Sequence, residues 1–282
     1  MRPLPIGEPK ASGLPSHMLE WSLETTGNLL QVKAKFVRPP RSLPKKRGVV
    51  RGFSHQARIR MLQMISKIDW EKVPDGLFVT LTVPDECWPM TRSARNIARA
   101  GFMRYVEAFH GNHVPAIWRI EWKARKTGKY RGKLLPHFHL VIFGVPYIHH
   151  SMIRGWWRSL LKAESALATD VQSLKGKQHH AVYVAKYAAK IADSSSLDSL
   201  AYLSSAGRHW GVHRPRLMPF HETEIFDGFT DKQIDQIKAL GREAFAWYGE
   251  YAELGFTMFG KVAEKYREAI IHIALDTPIE NR

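Results

Sequence analysis

The stretch Ala116-Ile117-Trp118-Arg119-Ile120-Glu121-Trp122 alternates apolar and polar positions with the period of a strand. A second apolar stretch, Leu135 to Phe143, follows a loop from Lys123 to Lys133 that contains the turn signals Thr127-Gly128 and Arg131-Gly132. The pattern predicts an antiparallel hairpin with a long, positively charged tip. Before it, the turn Pro74-Asp75-Gly76 leads into the β-branched run Phe78-Val79-Thr80-Leu81-Thr82-Val83, a third strand. Short strands are expected near Asp170–Leu174 and across Gly207-Arg208-His209-Trp210-Gly211-Val212.

Helical spacing appears between these strands. Ser54 caps a segment whose Ile59, Met61, Leu62, Met64, Ile65 and Ile68 are apolar. Further helices are expected at Ala94–Phe109, around Trp156, Trp157, Leu160 and Leu161, and from about His179 to Ala192, and the tail from Thr230 to Leu275 reads as helical throughout. Strands and helices thus alternate irregularly around a central hairpin. That order predicts an α+β fold, a central antiparallel sheet with flanking helices and a C-terminal helical extension, rather than a doubly wound parallel sheet. Residues 1–50, rich in proline and cations (Arg38-Pro39-Pro40-Arg41, Lys45-Lys46-Arg47), read as an extended basic arm; 51–220 as the main domain; 221–282 as the helical tail.

Charge adds a partner to this picture. The chain carries 42 Lys and Arg against 26 Asp and Glu. Thr25 to Ile68 holds eleven of the cations and no acid, whereas from Glu222 onward twelve acids face seven bases. A polyanion fits the basic part, because each neutralised phosphate releases a condensed counterion. A patch for anionic lipid fits less well, since the region lacks a strongly amphipathic basic helix. A single cysteine, Cys87, rules out an internal disulfide framework. With no apolar run of about 18 residues and no secretory leader pattern, the expected setting is a cytoplasm, without membrane partners.

Candidate chemistry sits on the hairpin and on one helix. His137 and His139 share one face of their strand, with Phe138 and Leu140 on the other. Glu121 lies on the neighbouring strand between apolar residues, where a carboxylate needs a partner. Two imidazoles and a carboxylate can hold a divalent cation with open positions for phosphate oxygens. The plainer readings are packed histidines and a salt bridge from Glu121 to Arg119, Lys123 or Arg125. Within Tyr183-Val184-Ala185-Lys186-Tyr187-Ala188-Ala189-Lys190, the two phenols lie four apart on one helix face, with Lys186 and Lys190 in the adjacent row. A tyrosine nucleophile needs such positive charge around the phosphate that it attacks; the plainer reading is an amphipathic helix. The loop cations Lys123, Arg125, Lys126, Lys129, Arg131 and Lys133 are candidate nucleic-acid contacts or a solvated tip, and Trp122, Trp156 or Trp157 are candidates for stacking on an unpaired base. The pairs His149-His150, His179-His180 and His209/His213 are read as sites other than a second metal centre.

The order Phe78-Val79-Thr80-Leu81-Thr82, then His137-Phe138-His139 before Leu140-Val141-Ile142-Phe143-Gly144, then Tyr183-Val184-Ala185-Lys186-Tyr187, resembles the three motifs of HUH endonucleases that initiate rolling-circle replication. The third is similar to the two-tyrosine form of phage gene A proteins, and Gly207-Arg208-His209-Trp210-Gly211 resembles a stretch that follows the tyrosine helix in some of them. The resemblance covers roughly residues 51 to 215. It implies an RRM-like nuclease core, with Mg²⁺ or Mn²⁺ held by His137, His139 and, by position, Glu121. It also implies cleavage of a single-stranded DNA origin by Tyr183 or Tyr187 through a 5′-phosphotyrosine link, assisted by Lys186 and Lys190. The second tyrosine would perform the rejoining step. With no GxxxxGK[ST] motif in the sequence, helicase and polymerase are expected as separate proteins of a bacterial host. The same chemistry serves transposases and mobilisation relaxases. A non-catalytic single-strand-binding protein is the reading from another class, and a two-histidine iron oxygenase is disfavoured because Leu140 to Phe143 offer no carboxylate after the histidines.

Overall fold

A computed structural model describes residues 19–36, 53–126, 128–164, 169–175, 208–245 and 255–275. They form nine strands in two antiparallel sheets, together with five α-helices, so the fold is α+β. The chain divides into two compact units, 46–219 and the pair of terminal segments 1–45 with 220–282.

The 46–219 unit holds a five-stranded sheet. Its strands are β3 (Gly76–Thr82), β4 (Ala116–Ala124), β5 (Leu134–Phe143), β6 (Thr169–Leu174) and β7 (Trp210–His213), in the order β6-β3-β5-β4-β7. The hairpin β4–β5 is antiparallel, as the alternation predicts. Helix α1 (His55–Ser66) begins at Ser54, whose side chain accepts from the Ala57 amide, and α2 (Arg92–His110) begins at Thr91 in the same way. Helix α3 (His150–Leu161) is the third described α-helix of the unit. The period-2 rule then divides the sheet. Leu77, Val79, Leu81, Trp118, Ile120, Trp122, Phe138, Leu140 and Ile142 lie in one core with Phe102 and Val106 of α2 and Ile153 and Trp157 of α3. Two glycines make close approaches in this core. A Cβ on Gly101 would lie 2.5 Å from Leu160, and one on Gly211 would lie 2.7 Å from the Trp118 ring. The opposite face carries Thr80, Thr82, His137, His139, Arg119 and Glu121.

The other unit corrects the expected arm and helical tail. Residues 19–36 are not an extended arm but a hairpin of β1 (Leu19–Thr26) and β2 (Leu29–Phe36), turned by Gly27-Asn28 with Gly27 at φ 53°. The C-terminal segment supplies β8 (Thr223–Asp227), α4 (Asp231–Ala244), β9 (Gly255–Phe259) and α5 (Lys261–Leu275), so it is not helical throughout. The sheet order is β8-β1-β2-β9. Leu23, Leu30, Val32, Phe256 and Met258 form a core with Ile237 of α4 and Tyr266 and Ile270 of α5. Neither terminal segment can bury its apolar face alone, and pairing across the chain resolves this. No described helix is long and apolar enough to cross a membrane.

Candidate functional site

Strand register assembles the site. Thr82, His137 and Glu121 stand in one row across β3, β5 and β4, and Thr80, His139 and Arg119 stand in the next. Thr80 Oγ1 lies 3.1 Å from His139 Nδ1, and Thr82 Oγ1 lies 3.0 Å from His137 Nδ1. Each imidazole is therefore fixed at Nδ1, with Nε2 directed elsewhere. Glu121 reaches diagonally, its Oε2 2.9 Å from His139 Nε2 and 3.7 Å from Lys123 Nζ. His139 is 5% exposed and stacks at 5.9 Å on Phe78. Met61 of α1 and Val141 line a small cavity against it. Burial, reinforced by Lys123, His139 and Arg125, pushes the His137 imidazole down to about 4, against the opposing pull of Glu121. His137 is therefore neutral at pH 7, the form in which imidazole ligates metal.

The structure brings His139 and Glu121 together and leaves His137 beside them on the same face. Among the described residues no three of His, Cys, Asp and Glu form a complete metal cluster. The donor set nevertheless fits a small divalent cation. His139 Nε2 and Glu121 Oε2 lie 2.9 Å apart with His137 on the same sheet face, so these imidazole and carboxylate donors would hold the ion. A threonine hydroxyl accepting from Nδ1–H would leave Nε2 with its lone pair free, the outer support that metal-binding histidines ordinarily have.

The basic hairpin tip divides into two groups. Arg125 is committed within the fold. It pairs with Asp85 at 2.6 Å and donates to the Val83 carbonyl at 2.8 Å, which ties the tip to the end of β3. Lys123, Lys126, Lys129, Arg131 and Lys133 are exposed beyond it. Among the tryptophans, Trp122 and Trp157 are buried and unavailable for stacking, and Trp157 donates to the Thr82 carbonyl at 2.8 Å. Trp156 is half-buried. Tyr183, Lys186, Tyr187 and Lys190, with His179 and His180, lie outside the described residues.

No family model matches the chain, and no solved structure does. One similarity is found. A segment is 28% identical over 102 residues to "Uncharacterized protein 1" of Halorubrum pleomorphic virus 1, covering 32% of this chain and 19% of that protein.

The remaining histidine pairs separate into different roles. His149 caps α3 by accepting from the Ser151 amide. His209 is buried at the edge of the Trp122 ring, 6.5 Å between centroids, and burial together with Arg95 and Arg119 pushes it down to about 4. His213 instead joins a clamp that the sequence does not signal, because its members are about 100 residues apart. Glu107 near the end of α2 receives Arg214 Nε and Nη2, both at 3.0 Å, with His213 Nε2 also at 3.0 Å. The clamp holds Arg214 in the left-handed region, φ 50°. Burial would raise the Glu107 carboxyl, but Arg214 and His213 outweigh it and hold the group at about 2. The folded value lies below the unfolded one, so this stability is present above about 4.5 and is lost as pH falls toward 2. Glu107→Gln is expected to lower the melting temperature at pH 7, and its deficit against the unsubstituted chain should shrink steadily below pH 4.5. A deficit that is constant across that range would show that the carboxylate charge is not what holds the clamp.

Proposed function

We propose that the chain is a metal-dependent, tyrosine-using endonuclease and strand transferase of the HUH type, acting on single-stranded DNA to start and finish rolling-circle replication. The observation that carries this reading is the pairing of His139 with Glu121 at 2.9 Å, beside a second histidine on the same sheet face. Supporting it are the order of the three motifs and the cationic tip at the end of the same hairpin.

Mg²⁺ or Mn²⁺ held by His137, His139 and Glu121 would supply Lewis-acid polarisation of the scissile phosphate. Thr80 and Thr82 orient the imidazoles, and the exposed cations from Lys123 to Lys133 hold the flanking phosphates. The phenolate oxygen of Tyr183 or Tyr187 attacks phosphorus, a phosphorus–oxygen bond to the tyrosine forms, and the bond to the 3′ oxygen breaks. That oxygen leaves with a proton, donated by water or by Lys186 or Lys190, as a 3′-hydroxyl that a separate polymerase extends. The other tyrosine then attacks the regenerated junction, and the freed 3′-hydroxyl displaces the first phosphotyrosine to close the strand. A separate helicase unwinds the template.

The test is covalent capture. The full chain is incubated with single-stranded DNA of its own replicon and Mn²⁺, then run on a denaturing gel. An adduct is expected that disappears with EDTA and with Tyr183→Phe/Tyr187→Phe. One single variant should fail to nick, and the other should nick but fail to rejoin. Tight binding of the cognate strand without any adduct would replace this reading with a non-catalytic single-strand-binding protein.

A further inference from the structure

Lys123 can serve two different anions on the histidine face. It follows Glu121 by two residues on β4, so the period of the strand puts both on the side that carries His137 and His139. Its ammonium stands 3.7 Å from Glu121 Oε2, the oxygen that also faces His139 Nε2 at 2.9 Å. The two members of this ion pair differ in exposure: the Glu121 side chain is 10% exposed and that of Lys123 is 50% exposed. The carboxylate is thus fixed against the sheet, while the lysine reaches it from the solvent side on a flexible four-carbon stem.

Charge decides which anion the lysine keeps. Glu121 is the only carboxylate of the proposed ligand set, and Lys123 balances it. Beside a divalent cation, Lys123 would meet two positive charges while sharing a single negative one, and the nearer approach would be repulsive. Of these charges Lys123 is the one free to move away. Its head is already half in water, and an ion pair of such exposure contributes little that would hold it back. An ammonium that leaves Glu121 stays at the rim of the same face, where the proposed reaction places the phosphates of the strand. It then exchanges a carboxylate for a phosphate.

We propose that Lys123 is an exchangeable counter-ion of the histidine face, held by Glu121 in the absence of a divalent cation and released by that cation to a phosphate of the bound single strand; this rests on the ligand set His137, His139 and Glu121 proposed above. Cation and strand are then cooperative, because each favours the state in which the lysine has left Glu121. In the absence of a cation, Lys123 both shields the carboxylate and is withheld from the strand.

Two titrations of the full chain test this, and neither depends on cleavage. The first is calorimetry with Mn²⁺ alone at low salt. Lys123→Met should bind Mn²⁺ about tenfold more tightly than the unsubstituted chain, whereas Lys123→Arg, which keeps the charge, should not. Arg92→Met removes an exposed cation from α2, the helix that packs on the other face of the sheet, and should leave the Mn²⁺ affinity unchanged. The second titration follows an oligothymidine by fluorescence anisotropy in EDTA. Glu121→Gln should strengthen its binding about threefold when Lys123 is present, and by clearly less in the Lys123→Met background, since only the former gains a released ammonium. The exchange is overturned, and the ligand set left standing, if Lys123→Met binds Mn²⁺ no more tightly than Arg92→Met. Strictly additive effects of Glu121→Gln and Lys123→Met on the oligothymidine overturn it equally. Mn²⁺ bound by none of the chains would overturn the ligand set itself, and the exchange with it.

Discussion

His139→Gln is expected to abolish Mn²⁺ binding at the histidine face and to lower adduct formation by at least about three orders of magnitude, the scale of losing electrostatic stabilisation at a reacting phosphate. Glutamine is the informative replacement. His139 is 5% exposed, and alanine would leave both a cavity and a carboxylate without its partner. Glutamine keeps most of the volume and can donate to Glu121 Oε2, but its amide is a poor ligand. The melting temperature should therefore change by only a few degrees while metal binding is lost.

His139 has two ring nitrogens and two partners, Thr80 at Nδ1 and Glu121 at Nε2. A ring protonated at Nε2 alone donates there to Glu121 and accepts at Nδ1 from the Thr80 hydroxyl. For Nε2 to ligate a cation, the ring proton would have to sit on Nδ1, with the Thr80 hydroxyl accepting it. Threonine can serve in both states because a hydroxyl both donates and accepts. Thr80→Val should accordingly weaken Mn²⁺ binding about 10- to 100-fold, and Thr80→Ser should restore most of it. Calorimetric titration of metal separates these variants without reference to cleavage. Undiminished Mn²⁺ affinity in His139→Gln would remove His139 from the ligand set.

The central hairpin was legible because β4 and β5 each have one buried apolar face, and a register shift of one residue would bury Glu121 and His137 among the leucines. That constraint also placed Glu121 next to the histidine strand. What the pattern did not show was its diagonal reach to His139 rather than to His137, which depends on side-chain conformation. The Arg125–Asp85 pair is hidden in the sequence for a similar reason, since its members lie forty residues apart and meet only in the fold. The terminal unit was obscured differently. Leu29-Leu30-Gln31-Val32-Lys33-Ala34-Lys35 alternates after the Gly27-Asn28 turn, but its lysines belong to the same cationic excess that suggests an extended arm. The strands that flank the β1–β2 hairpin, β8 beside β1 and β9 beside β2, lie about 200 or more residues away, beyond the range of any local period.

Trp157 is where the core and the site meet, and its replacement is expected to damage both. The ring is fully buried, edge-on to Phe102 at 6.3 Å and to Phe138 at 5.6 Å. Trp157→Ala should destabilise the 46–219 unit by about 3–5 kcal/mol, the usual range for a large aromatic removed from a packed interior. Trp157→Phe tests something narrower. It keeps most of the packing but removes the indole N–H that donates to the Thr82 carbonyl, leaving a buried acceptor unsatisfied at about 1–3 kcal/mol. Thr82 is the residue that holds His137 Nδ1, and Phe138 lies between the two histidines. Relaxation at the end of β3 should therefore reach His137 directly. Ile153→Val, a smaller loss on the same helix within the same core, provides the control. Urea unfolding measures the stability of each variant, and Mn²⁺ titration of the folded protein measures the site. Trp157→Phe should bind metal more weakly than Ile153→Val by more than their difference in stability accounts for. If metal affinity follows stability alone in both, the indole contributes packing only, and the orientation of His137 is set by β3 and β5 themselves.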